Sequence, residues 1–162
     1  MDAQLDYRMV DTALFLIANL VNILLIGIFL SRPWGLKRLE RILGLASIAL
    51  ALPVGLAVVI NALGGREWWT IVLPSLLVAF LILESILDYI LRFPFRSSRL
   101  LGPYLLLYYL SLMGMIGYAF LVSEAYGFIT LGTYFLNLSA TWYSYSKVGH
   151  GTGVTKSRLS ES

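Results

Sequence analysis

Long unbroken runs of apolar residues, rather than an alternation of apolar and polar positions, dominate this chain. Four runs, at 10–30, 42–63, 69–91 and 100–121, are separated by short polar segments. A fifth, at 126–145, is diluted by Gly127, Thr130, Gly132, Thr133, Asn137 and Thr141. A helix needs roughly 20 mostly apolar residues to cross the hydrocarbon core of a bilayer. The pattern predicts an all-α integral membrane protein: a bundle of five transmembrane helices, or four if the last run does not span. In this reading residues 1–145 are one transmembrane domain. Residues 146–162, polar and rich in glycine, are a flexible cytoplasmic tail.

Punctuation within the runs refines the picture. Pro53 is expected to bend the second helix near its middle, and Gly64 and Gly65 to end it. Pro74 falls in the first turns of the third helix, and Pro103 at the start of the fourth, where proline is tolerated. Small residues around Gly44 and Gly55, and again at Ser111, Gly114 and Gly117, are candidate seams for close helix packing. The first run has no basic leader and is of spanning length, which predicts a retained span rather than a cleaved signal peptide.

Composition agrees with the pattern. Hydrophobic residues make up 59% of the 162 positions and charged ones 13%, against about a quarter charged in soluble domains. The formal net charge of +3 does not point to nucleic acid, because its distribution follows membrane topology. With five spans, Arg32, Lys37, Arg38, Arg41, Arg92, Arg96, Arg99, Lys147, Lys156 and Arg158 fall on one side, and Arg8 and Arg66 on the other. The positive-inside rule then places the N-terminus outside and the C-terminus in the cytoplasm, with the plasma membrane the expected location.

Several chemistries drop out. The chain has no cysteine, which excludes disulfides, thiolate metal sites and cysteine nucleophiles. Its one histidine, His150, lies in the tail. No cofactor and no metal site is expected, and no serine–histidine–acid set or nucleotide fingerprint is present.

The candidate site is a polar layer inside the bundle. Glu84 and Asp88, four residues apart on the third helix, share one face with Arg92. Ionisable groups inside a span are costly and tend to mark functional positions. Counting helical rise from the cytoplasmic ends puts Glu84, Asn22, Tyr108 and Asn137 in one layer, on the order of 12 Å from the boundary. Asp88, Tyr104 and Thr141 form a shallower layer, and Thr133, Asn137 and Thr141 a stripe on the fifth helix.

Three functions fit. The first is a cytoplasm-facing intramembrane cavity centred on Glu84, with Asp88, Asn22, Tyr108 and Asn137 around it. It would bind or transport a proton, a cation or a small amphipathic ligand. The second is a non-catalytic accessory or scaffold subunit, packing through its small-residue seams. The third is a lipid isomerase-like enzyme with Glu84 and Asp88 as acid and base, which the lack of any further catalytic group disfavours. In the structural alternative, Glu84 bonds Tyr108 or Asn137, Asp88 pairs with Arg92 or Arg96, and Asn19 and Asn22 join helices. The expected partners are the bilayer, anionic lipid headgroups at the basic loops, and a second copy or another membrane subunit.

Overall fold

The computed structural model describes residues 7–91 and 99–148. Six α-helices and one π-helical segment make up its regular structure. Helix α1 is Tyr7–Ser31, α2 Lys37–Ala49, α3 Ala51–Leu63, α4 Trp69–Glu84, α5 Leu101–Val122 and α6 Glu124–Val148. The π segment, Ser85–Ile90, continues α4. The regular structure among the described residues is all helical, and four helical stretches are long and apolar enough to cross a membrane. These are Tyr7–Ser31, Lys37–Leu63, Trp69–Ile90 and Leu101–Val122.

The second stretch is two helices because of Pro53. Proline has no N–H, and its ring clashes with the carbonyl four residues earlier, here Ala49. The α-helix stops at Ala49 and restarts at Ala51. At the break Leu50 N–H bonds back three residues to Ser47 at 3.1 Å, the tighter pattern of a strained turn. The loop that follows turns at Gly65, whose φ of 62° is left-handed and suits glycine.

Helix α6 is the long helix outside those four stretches, and its side chains are distributed inside out. Thr130, Asn137, Thr141 and Ser144 are buried, while Phe128, Ile129, Phe135, Leu136 and Trp142 are exposed. The same inversion holds elsewhere: Asn19, Asn22, Asn61 and Glu84 are buried, and Leu52, Leu56 and Leu63 face outward. A water-soluble helix buries its apolar face; a surface apolar to this degree suits hydrocarbon.

The core lies between α1, α4, α5 and α6, around Leu14, Val21, Leu77, Phe80, Leu81, Met115 and Tyr118. Of the expected seams, Gly114 meets α4, where an added Cβ would lie 3.3 Å from the Leu73 carbonyl oxygen. Gly44 receives the Tyr89 hydroxyl, whereas Gly55 has open space in front of it. Helix α6 runs to Val148, three residues past the expected domain boundary. Arg92, Arg96 and residues 149–162, including His150, lie outside the described residues.

Candidate functional site

Helices α1 and α6 run side by side in the same direction, joined by polar side chains at successive depths. Thr12 and Tyr126 meet through their hydroxyls at 3.4 Å. Further along, Asn19 Nδ2 donates to Thr130 Oγ1 at 3.1 Å, and Thr133 Oγ1 donates to Asn19 Oδ1 at 2.8 Å. Asn22 Nδ2 donates to the same Thr133 oxygen at 3.0 Å. Next comes Asn137, whose Nδ2 donates to Tyr108 Oη at 3.0 Å and lies 3.5 Å from Asn22 Oδ1. The spacing explains the ladder. Asn19 and Asn22 lie three apart on α1, and Thr130, Thr133, Asn137 and Thr141 recur at three and four on α6, so each set forms one helix face.

The ladder ends at a cavity of about 430 Å³ between the end of α1, the start of α5 and the end of α6. Its walls are aromatic (Phe29, Tyr104, Tyr109, Trp142, Tyr145) and aliphatic (Leu101, Leu105, Leu138). Three further lining residues carry its remaining polarity: Tyr108, Thr141 and Arg32. Thr141 Oγ1 donates to the Asn137 carbonyl at 2.9 Å, so Asn137 holds both Tyr108 and Thr141. Arg32 donates to Glu40 at 2.8 Å and stacks over Phe29, which leaves its charge largely compensated. The volume and the mostly apolar lining are those of a small-molecule site.

Asn22, Tyr108 and Asn137 thus come together as one hydrogen-bonded group. Glu84 is buried on α4, 8% exposed, within electrostatic reach of Tyr108 and Tyr89. Neither Glu84 nor Asp88 is among the residues lining this cavity. Glu84 instead marks the point where the helix changes type. From Ser85 to Ile90 the helix is π, and Leu91 N–H bonds Ile86 C=O five residues back at 2.8 Å. Such segments are rare and concentrate at functional sites. Asp88 is half-buried in this segment, and Tyr89 donates to the Arg41 carbonyl of α2 at 3.3 Å. The alternative pairing of Asp88 with Arg92 or Arg96 falls outside the described residues.

A second polar group, not foreseen from sequence, sits at the opposite end of the bundle. Arg66 donates to both oxygens of Asp11, at 2.7 and 3.1 Å. Tyr118 donates to Asp11 at 2.5 Å, and Arg66 also reaches Asn61 Oδ1 at 3.1 Å. Asn61 in turn donates to the Thr70 carbonyl at 2.9 Å, and Tyr7 stacks on the guanidinium. One cluster therefore ties α1, the end of α3, the start of α4 and α5. The hydrogen bond to Asp11 holds the Arg66 guanidinium above its ordinary value, against the opposing effect of partial burial. A raised value on a base means that its contribution is intact below the unfolded value and lost only at still higher pH, so Arg66 stays charged at any working pH. The available signal was topological: Arg66 lies on the side poor in basic residues, as does the acid Asp11.

No group of three or more acidic, histidine or cysteine side chains able to hold a metal occurs among the described residues. No family model, curated protein or solved structure matches this chain.

Proposed function

We propose that the protein is a five-span membrane protein, N-terminus outside and C-terminus cytoplasmic, that binds a small amphipathic molecule in the cavity between α1, α5 and α6. The cavity itself carries this reading. It is apolar around most of its wall, and its two buried polar side chains, Tyr108 and Thr141, converge at one place. A fifth span is supported by the parallel pairing of α6 with α1 from Thr12–Tyr126 to Asn22–Asn137, and by the outward apolar face of α6. The orientation rests on the basic residues Arg32, Lys37, Arg38, Arg41, Arg99 and Lys147, which share the cavity's end of the bundle. By the same rule the cavity opens towards the cytoplasmic leaflet of the plasma membrane.

Native mass spectrometry of the full chain, extracted in mild detergent, tests this reading. The wild type should carry an apolar small-molecule adduct, and Leu105→Trp, which fills the cavity, should lose it. Equal adducts on both proteins would overturn the assignment.

A second reading gives Glu84 a proton or cation to bind, independently of the cavity. The π-helical turn beginning immediately after it favours this reading, because a helix keeps such a turn against the better α-helical geometry. Proton flux into proteoliposomes that Glu84→Gln abolishes would support it, and flux unchanged by that substitution would remove it.

A further inference from the structure

The mouth of the cavity narrows the ligand class, and this inference rests on the reading of the cavity as a binding site. Arg32 follows the last residue of α1 and begins the loop to α2. It lines the cavity while its side chain stays 23% exposed, which sets it between the site and the aqueous boundary. Two contacts fix its guanidinium. Nε donates to Glu40 Oε1 at 2.8 Å, and the group lies over the Phe29 ring, 5.0 Å from its centroid. Glu40 thus offsets the charge but takes one edge of the group alone. Among the described residues, Nη1 and Nη2 have no hydrogen-bond partner. The edge they form is a two-donor fork that matches a planar carboxylate.

Charge around the mouth has the same sign. The segments that the five-span topology brings to this end, 32–41, 92–99 and 146–162, carry ten lysines and arginines against two acids, Glu40 and Glu161. A field of that sign draws an anion to the mouth and repels an ammonium group.

The deep end sets the other requirement. Tyr108 and Thr141 are hydrogen-bonded to each other and to Asn137, so these polar groups are already engaged. The wall otherwise offered by Phe29, Leu105, Leu138 and Trp142 is hydrocarbon or aromatic. Such a wall rewards an apolar body and penalises a second polar group. A volume of about 430 Å³ is that of a drug-sized molecule, which suits one chain rather than the two of a phospholipid.

We propose that the cavity binds a single-chain carboxylate amphiphile, its carboxylate in the Arg32 Nη1–Nη2 fork and its hydrocarbon body against Phe29, Leu105 and Trp142. The charged head then lies at the boundary and the apolar body points inward. That is the polarity of the cytoplasmic leaflet itself, so the ligand keeps its leaflet orientation when bound.

The test uses three probes with one hydrocarbon body: farnesoic acid, farnesol and farnesylamine, competing for tritiated farnesol on the purified full chain. At about pH 8 the acid is ionised and the amine protonated. Farnesoic acid should bind about tenfold more tightly than farnesol, the worth of a charge-assisted pair of hydrogen bonds, and farnesylamine should bind most weakly. Arg32→Gln combined with Glu40→Gln should bring the acid down to the affinity of the alcohol. The alcohol itself should be unaffected, which shows that the fold survives. Glu40→Gln alone keeps Arg32 and should tighten the acid about threefold, so the proposal stays testable if the double variant does not fold. Leu105→Trp should remove binding of all three. Equal affinity for acid and alcohol, an acid preference that survives loss of Arg32, or an acid affinity that Glu40→Gln fails to raise would overturn the carboxylate assignment while leaving the cavity a binding site. Displacement of farnesoic acid by an equal concentration of dioleoyl phosphatidic acid would overturn the single-chain assignment. No saturable binding of any probe would overturn both this inference and the reading it rests on.

Discussion

Asp11 and Arg66, 55 positions apart in the chain, meet in a two-pronged ion pair that closes the end of the bundle opposite the cavity. The pair is mostly shielded, with side-chain exposures of 14% and 17%. Removing one partner of such a pair strands the other charge, and the cost follows from that stranding more than from the lost attraction. Arg66→Ala should lower stability by about 3 kcal/mol, while Asp11→Ala combined with Arg66→Ala should cost less than the sum of the single changes. Chemical denaturation in detergent measures both. Additive losses would show that the two side chains act separately.

Arg66→Lys gives a finer version of the same experiment. A lysine keeps the charge but not the planar fork that engages both Asp11 oxygens. Roughly half of the alanine loss should remain, on the order of 1.5 kcal/mol. Full recovery would mean that charge alone, not the fork, holds the end together.

The polar ladder between α1 and α6 predicts a topological dependence. Helix α6 is not among the four stretches apolar enough to span on composition, and Thr130, Thr133 and the Asn137 amide nitrogen on it bond Asn19 and Asn22 of α1. An Asn19→Leu, Asn22→Leu double variant should let α6 leave the bilayer in part of the population. The chain has no cysteine, so a single Ser146→Cys reports cleanly on the C-terminal end. That position should resist a membrane-impermeant maleimide in intact cells and become labelled when the two asparagines are replaced. Unchanged protection would show that α6 inserts without them.

Two glycines on α5 separate tight packing from mere smallness. A Cβ at Gly114 would press on the Leu73 backbone at 3.3 Å, whereas one at Gly117 would lie 3.8 Å from a leucine methyl. Gly114→Ala should destabilise by about 1–2 kcal/mol, since a backbone atom cannot swing aside, and Gly117→Ala should be nearly neutral. Thermal unfolding in detergent gives the order, and a reversed order would contradict the packing of α4 on α5.

These relationships differ in how far the sequence revealed them. The apolar runs show the helices directly, and Pro53 shows the break between α2 and α3, because both follow from covalent structure and solvent preference. Asn22, Tyr108 and Asn137 share a layer that counting helical rise can reach. Counting cannot say which faces meet, however. Counting puts Glu84 in the same layer, yet it is not a lining residue of the cavity, which forms from Phe29, Leu105 and Trp142 on three other helices. Residues of that kind read in sequence as ordinary lipid-facing or interfacial positions. Asp11 and Arg66 were hidden for a different reason: each sits beside a span end, where charge is normal, and only the fold brings them together. The π turn after Glu84 has no recognised sequence signal at all.

The central claim is that the cavity between α1, α5 and α6 holds a ligand, and photocrosslinking tests it most directly. A diazirine-bearing farnesol analogue, incubated with the full chain and mapped by peptide mass spectrometry, should label residues 101–109 and 138–145. Excess farnesol should suppress that labelling. Labelling spread over the outward face of α3, at Leu52 and Leu56, and insensitive to competitor would mean that the probe merely dissolves in the surrounding detergent, and would contradict the account.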